Sequence, residues 1–161
     1  MLACQDFIRL LSIENDLIKS QTEGLSQADT LIQPMPSGNC MNWVLGHILE
    51  SRITLLTLLG GAAPIDPSEL EIYKRESAPI TGAEPGILPS EYLLQSIDTV
   101  HQATVACLET MDDADFSREI QQGERKFTLG WRFLFLNFHY TYHIGQLEQL
   151  RQLAGHGEKI V

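Results

Sequence analysis

The sequence predicts an all-α fold, a bundle of four long helices, from its composition, its hydrophobic periodicity and its breaks. The chain has 161 residues, of which 43% are apolar and 20% charged, as in an ordinary globular domain. Apolar residues recur at helical spacing in four long segments, and no segment alternates convincingly between apolar and polar residues. We therefore expect one domain, residues 1–161, in which the helices pack against one another.

The first two helices are predicted from their apolar patterns. Leucine, isoleucine and phenylalanine recur with helical spacing near the start of the chain, which predicts a helix at about 3–22. Two prolines and a glycine then interrupt the pattern within residues 34–38. A stronger pattern follows and predicts the second helix at about 39–59, with Gly60-Gly61 as its end.

A long connection and two further helices complete the bundle. Residues 60–89 hold five prolines and four glycines, which leave room for one short helix at about 68–75. Apolar residues at a period near 3.6 predict the third helix at about 90–111, capped by the hydroxyl of its first residue. A polar stretch leads to Thr128, a suitable cap for the fourth helix at about 128–154. The long second connection allows a crossover between parallel helices.

Charge and cysteine content exclude several functions. Eleven Lys and Arg against twenty-one Asp and Glu give a net charge of −10, which disfavours binding to nucleic acid or anionic lipid. Three widely spaced cysteines fit reduced thiols in the cytoplasm, and we interpret Cys40 and Cys107 as packing residues because neither has a basic neighbour or a helix start to lower its pKa. Neither a signal peptide nor a membrane span is indicated. Phosphate loops, dinucleotide fingerprints and serine-hydrolase elbows are absent from the sequence.

Three histidines carry the strongest functional signal. His139 and His143 are four residues apart, so they share one face of the fourth helix, and the apolar spacing around them turns that face inward. His47 lies on a row of small and apolar residues of the second helix, where Gly46 would ease the approach of another helix. Three imidazoles are the ligand count of an open catalytic metal site. Two histidines at this spacing are more often hydrogen-bonded or exposed than bound to a metal. The hypothesis of a metal site therefore depends on the third histidine.

The residues around these histidines resemble the DinB-like, or damage-inducible, family, and the resemblance covers nearly the whole chain. It rests on Asn42-Trp43, Gly46-His47-Ile48, His139-x3-His143-Ile-Gly-Gln and the ending from Gly145 to Gly155. The resemblance implies an up-down-down-up four-helix bundle, commonly a homodimer, with a divalent metal held by His47, His139 and His143. Zinc and nickel suit such a ligand set best. Tyr140 stands where many relatives have Glu, which argues against an acid–base role at that position.

The resemblance implies two classes of function, and the sequence leaves both open. One is a metal-dependent enzyme, a thiol S-transferase or a hydrolase acting on a small electrophile, in which a metal-bound water or thiolate is the nucleophile. A low-molecular-weight thiol is then a second cofactor candidate. The other is a non-catalytic, stress-induced homodimeric binding or structural protein. The aromatic residues over 131–138 are core or dimer surface, and because one bundle seam cannot absorb all of them they support the homodimer. No nucleic-acid or membrane partner is expected.

Other polar residues near the histidines have weaker signals. His101 lies on the inward stripe of the third helix, and we interpret it as a core histidine or a support for the ligands. Glu50, Tyr142 and Gln146 could each orient a ligand, although solvated or packing roles are commoner. The connection 60–89 is expected to cap the open metal position and to set substrate choice, because loops of that length in a compact domain are often functional. Shortening it is then expected to leave metal content intact.

Overall fold

The computed structural model describes residues 4–82 and 84–157, and most of these residues are helical. The α-helices are α1 (Cys4–Thr22), α2 (Gln27–Thr30), α3 (Met41–Leu58), α4 (Ser90–Glu109) and α5 (Leu129–Leu153). Two 3-10 helices, Pro67–Tyr73 and Asp115–Ser117, and one antiparallel hairpin, β1 (Glu119–Gln122) with β2 (Arg125–Thr128), complete the described elements. The four predicted long helices are α1, α3, α4 and α5, so the expectation of a mostly helical fold is confirmed.

The four long helices pack around a common core. Helix α3 contacts α4 and α5, and α1 contacts the same two helices. Near the end of α5, Arg151 donates hydrogen bonds to the carbonyls of Gln21 and Glu23 at the end of α1. At the start of α3, Asn42 donates to the carbonyl of Leu88, just before α4. Within residues 4–82 and 84–157, no helix is long and apolar enough to cross a membrane.

Two hydrophobic clusters form the core. The larger one lies among α3, α4, the later part of α5 and the first 3-10 helix, and it includes Leu45, Ile48 and Ile97. The smaller one lies near the starts of α1 and α5, where the ring of Phe7 stacks on Phe116 with centroids 4.9 Å apart. Burial of this apolar surface is the main force that holds the helices together.

The long connection is part of the core. Leu70, Tyr73 and Ile80 are at most 1% exposed, and the ring of Tyr73 lies directly against the backbone of α3 at Gly46. A Cβ atom at Gly46 would lie 2.1 Å from Cδ1 of Tyr73, so only glycine fits there. The sequence indicated that Gly46 admits another helix, whereas the structure places an aromatic ring of the connection in that space.

Three local features differ from the sequence prediction. The hairpin was not predicted because its short strands are polar, although Gly123 provides a turn residue at φ 61°. The one-turn helix α2 was missed, although Ser26 and Asp29 form a capping box at its start. Ser90 was expected to cap α4, but Pro89 holds the cap position and makes no side-chain cap bond. The Thr128 hydroxyl does cap α5, accepting from the backbone N–H of Trp131 at 3.2 Å.

Candidate functional site

Three imidazole rings meet between α3 and α5. His47 comes from α3, and His139 and His143 come from adjacent turns of α5. The ring centroid of His47 is 5.1 Å from that of His139 and 5.0 Å from that of His143. One nitrogen of each ring lies within 4.8 Å of the others, a grouping that could hold a metal ion. The structure thus brings together the three residues that the sequence singled out.

Hydrogen bonds orient two of the three rings. Nδ1 of His47 donates to the backbone carbonyl of Tyr73 at 2.8 Å, and because a carbonyl only accepts, this nitrogen must carry the proton. Nδ1 of His143 likewise donates to Oε1 of Gln146 at 2.7 Å. In their neutral forms both rings therefore keep the Nε2 lone pair for another partner.

The remaining nitrogens fit a shared cation. Nε2 of His139 and Nε2 of His143 are 3.0 Å apart, and two unprotonated nitrogens this close need a proton or a cation between them. Two histidines bound to one tetrahedral zinc would have nitrogens about 3.3 Å apart, given zinc–nitrogen bonds of about 2.0–2.1 Å. Nδ1 of His139 is buried with no hydrogen-bond partner, so this ring is the least supported of the three.

Burial favours the neutral form of the α5 pair. Desolvation, followed by repulsion from His143, His47 and Arg132, lowers the pKa of His139 to about 4. Desolvation also lowers the pKa of His143, against the opposing effect of its hydrogen bond to Gln146. Both rings are therefore neutral near pH 7, which is the form that binds metals.

The residues around His47 are fixed by the connection. The Tyr73 hydroxyl donates to Oδ1 of Asn42 at 3.1 Å and accepts from the backbone N–H of Leu88 at 2.8 Å. The Trp43 ring stacks on His47 with centroids 4.7 Å apart, and its Nε1 donates to the Ser77 hydroxyl at 2.8 Å. These contacts tie the Asn-Trp motif and the first candidate ligand to residues 73–88. No feature of the sequence had indicated them.

A cleft of about 470 Å³ opens beside the histidines. It is lined by Asn39, Trp43, His47, Ser51, Arg75, Arg132, Phe135, Leu136, His139, Tyr142, His143 and Gln146. This lining contains aromatic rings and two arginines but no carboxylate. Among the described residues of the connection 60–89, Arg75 alone lines the cleft. The connection also supports His47 through the Tyr73 carbonyl and contributes Leu70, Tyr73 and Ile80 to the core. The expectation that it can be shortened with metal content intact stays a prediction.

The other predicted polar residues divide into two groups. Gln146 supports His143 directly, and the half-exposed Tyr142 ring contacts the His143 ring with centroids 5.3 Å apart. Glu50 lines a separate pocket with Lys74, and His101 on α4 is not part of the histidine group. Burial lowers the pKa of His101, and its Nδ1 has no hydrogen-bond partner.

Tyr140 faces the bundle interior and not the cleft. Its side chain is fully buried, the guanidinium of Arg52 lies 5.5 Å from the centre of its ring, and burial raises the pKa of its hydroxyl. This residue therefore cannot serve as an acid or base at the histidine group.

The cysteines have packing positions, with one difference from the prediction. Cys40 does stand at a helix start, as the residue before α3, contrary to the sequence interpretation. Burial nevertheless raises its pKa, against backbone hydrogen bonds that lower it, so it is a poor nucleophile. Cys107 is half-buried, and both thiols are free.

Comparisons with known proteins agree with this fold. A family model described as the DinB superfamily matches residues 13–147, a range that contains all three histidines. Among solved structures, a conserved protein from Enterococcus faecalis is 14% identical with a TM-score of 0.77, covering 96% of this chain and 98% of that one. A DinB-like protein from Bacillus cereus ATCC 10987 is 18% identical with a TM-score of 0.71, and the match covers 95% of this chain and 93% of that one. No curated protein matches this chain in sequence.

Proposed function

This chain belongs to the DinB superfamily, and on that premise we propose that it is a metal-binding protein whose site consists of His47, His139 and His143. The observation that carries the proposal is the convergence of three imidazoles from two helices at a cleft large enough for a small molecule. We propose one divalent ion per chain, zinc or nickel, because all three donors are imidazole nitrogens.

The side chains around the site have separable roles in this proposal. The Tyr73 carbonyl and Gln146 hold two rings with their Nε2 atoms toward the centre. Trp43, Phe135 and Tyr142 form apolar walls that would exclude water and hold the carbon skeleton of a substrate. A bound divalent ion would supply a Lewis acid that activates water or a thiolate near neutral pH.

Of the two enzyme classes, we favour a thiol S-transferase over a hydrolase. Hydrolysis benefits from a carboxylate or similar group that accepts a proton from water, and the described cleft lining contains no carboxylate. A thiol loses its proton readily and attacks a small electrophile without such a base. A low-molecular-weight thiol would then be the second substrate.

The alternative is a non-catalytic homodimeric binding or structural protein. It is supported by the same lack of a carboxylate in the described cleft lining and by an exposed apolar surface on α5. Trp131, Leu134, Phe135, Phe138 and Tyr142 are each between 44% and 69% exposed. Apolar surface of this extent commonly marks a protein interface, so we propose a homodimer under either function.

The finer architecture is also a proposal. The contacts between the ends of α1 and α5, and between the starts of α3 and α4, support an up-down-down-up arrangement of one domain. Three free cysteines support a cytoplasmic location.

The test is the metal content of protein purified without a histidine tag. We expect about one zinc or nickel ion per wild-type chain and none in His47→Ala, His139→Ala or His143→Ala. His101→Gln is the matched control because this histidine lies outside the group, and it should retain the ion. Circular dichroism checks that each variant is folded. Unchanged metal occupancy in the His143→Ala variant would contradict the site.

Further measurements separate the two functions. If the metal-loaded protein turns over neither thiol-dependent nor hydrolytic substrates, and a cobalt-substituted form shows no thiolate absorption band, the non-catalytic function is correct. A sedimentation measurement at micromolar concentration that finds only an 18.1 kDa species would contradict the homodimer.

A further inference from the structure

The charge of the cleft is opposite to that of the whole protein. The chain carries a net charge of −10, yet the charged residues that line the cleft are Arg75 and Arg132. Positive charge concentrated in a concave site attracts an anion and orients it, even when the rest of the surface repels it.

Among the described residues, Arg132 has no acidic partner in an ion pair. Its Nε atom is buried and makes no hydrogen bond, and the ion pairs found within residues 4–82 and 84–157 do not include it. The charge of Glu50 attracts it, but the two residues form no ion pair. A partly buried guanidinium without a counter-ion is costly, and a ligand carboxylate would remove that cost.

Two aromatic rings hold the guanidinium in place. Its central carbon lies 5.5 Å from the centre of the Phe135 ring and 5.9 Å from that of Phe127. Such contacts favour arginine over lysine and leave the nitrogen atoms free to bind a planar anion.

Arg132 also stands in line with the histidines. It precedes His139 by two helical turns on α5, about 10 Å along the helix axis, and both residues line the cleft. A ligand could therefore contact Arg132 with one end and the histidine group with the other.

On the basis of the proposed function, we propose that the substrate or co-substrate of this site carries a carboxylate, and that Arg132 binds this carboxylate at the end of the cleft away from the histidines. Arg75 is exposed, lies on the connection and has its Nε 3.8 Å from a carboxylate oxygen of Glu76, so it adds only a weaker second attraction. Arg132 is thus a specificity-determining residue for an anionic small molecule.

The test compares ω-mercaptocarboxylic acids with the mercaptoalcohols of equal length. Binding of 3-mercaptopropionate, 6-mercaptohexanoate and 8-mercaptooctanoate, and of the three matching alcohols, is followed by thiolate absorption of the cobalt-loaded protein. At the chain length that binds most tightly, the acid should bind about tenfold more tightly than the alcohol, which is the gain in affinity expected from one charge-assisted hydrogen bond. Arg132→Gln should bring this ratio to about one and leave alcohol binding unchanged, whereas Arg132→Lys should restore part of it.

The controls separate this proposal from the metal site. Arg9→Gln removes one exposed positive charge from α1, outside the cleft lining, and should keep the wild-type ratio. If the wild-type protein binds no cobalt, the proposed function fails. The same ligands are then titrated against the metal-free protein by tryptophan fluorescence, because Trp43 lines the cleft. If the ratio of acid to alcohol affinity is the same in wild-type and Arg132→Gln protein, the carboxylate proposal is overturned. The same holds if that ratio is unchanged and the variant weakens self-association, because Arg132 would then lie in a dimer interface.

Discussion

Helices α3 and α5 both supply candidate ligands, but they hold them in different ways. On α3, the motif residues around His47 contact the connection through a carbonyl, two hydroxyl groups and a closely packed ring. On α5, His143 has one supporting side chain, and Nδ1 of His139 has none. The α3 ligand is therefore oriented by the fold, whereas the α5 pair depends on helical spacing and on whatever binds between the rings.

The glycines of the two motifs show the same difference. Gly46 precedes one candidate ligand and Gly145 follows another within two residues. A Cβ atom at Gly46 would collide with the Tyr73 ring, whereas at Gly145 it would meet no atom within 4 Å. Motif residues on α3 thus support the structure around the ligand, and a glycine that looks equivalent on α5 has no such role in the described chain.

The largest expected effect follows from this contrast. Gly46→Ala should lower the free energy of unfolding by about 3 kcal/mol, because the methyl group must displace a fully buried ring. Gly145→Ala, the matched control, should raise it by about 0.5–1 kcal/mol, because alanine favours the helix and fits the open space. Urea denaturation of both variants measures these changes. Similar losses in both would mean that the two motifs do not differ in their packing.

A smaller effect is expected from the support of His143. Gln146→Ala should weaken metal affinity about 10- to 100-fold, or about 1.4–2.7 kcal/mol, because Nδ1 of His143 loses its acceptor. Gln146→Glu keeps an acceptor at this position and should retain tight binding. Competition with a chelator measures the affinities. Unchanged affinity in the alanine variant would show that helical spacing alone orients the α5 pair.

The regular parts of the fold could be predicted from the sequence because their signals are local. The long helices follow from apolar residues spaced by 3.6, and Thr128 caps α5 as its type and position indicate. The histidine group followed from one i,i+4 pair and a third histidine on a second amphipathic row. In each case neighbouring residues carry the information.

The parts that were missed depend on contacts between distant segments. Tyr73 and His47 are 26 residues apart, and no pattern in the Pro-rich connection indicates which side chain lies against Gly46. The exposed strands of the hairpin lack the apolar alternation that identifies a half-buried strand. Arg132 is identified only from the structure, in which its buried Nε has no hydrogen-bond partner among the described residues. Such properties arise from packing in three dimensions.

The last expected effect is spread over several pH units and concerns Glu14, which supports the α5 side from α1. Its Oε1 accepts from Asn137 at 2.9 Å and from Thr141 at 3.4 Å, on either side of His139, while Oε2 has no partner. Burial raises the pKa of Glu14 to about 8, although the charge of Arg52 and the Thr141 hydrogen bond lower it. The carboxyl group is thus neutral in the folded protein near pH 7.

The sign of the pH dependence follows from this raised pKa. Between the unfolded value of 4.5 and the folded value of about 8, the folded state binds more protons, so the stabilising contribution of Glu14 is complete below the unfolded value and is lost as the pH rises. The stability of metal-free wild-type protein relative to Glu14→Gln should fall by up to about 1.4 kcal/mol per pH unit from about pH 5 to 8. Urea unfolding of both proteins at several pH values measures the difference, in which the titration of the shared histidines cancels. A difference that does not change with pH would mean that Glu14 is ionised in the fold, so that a charged carboxylate, and not a neutral one, supports the helix that carries His139 and His143.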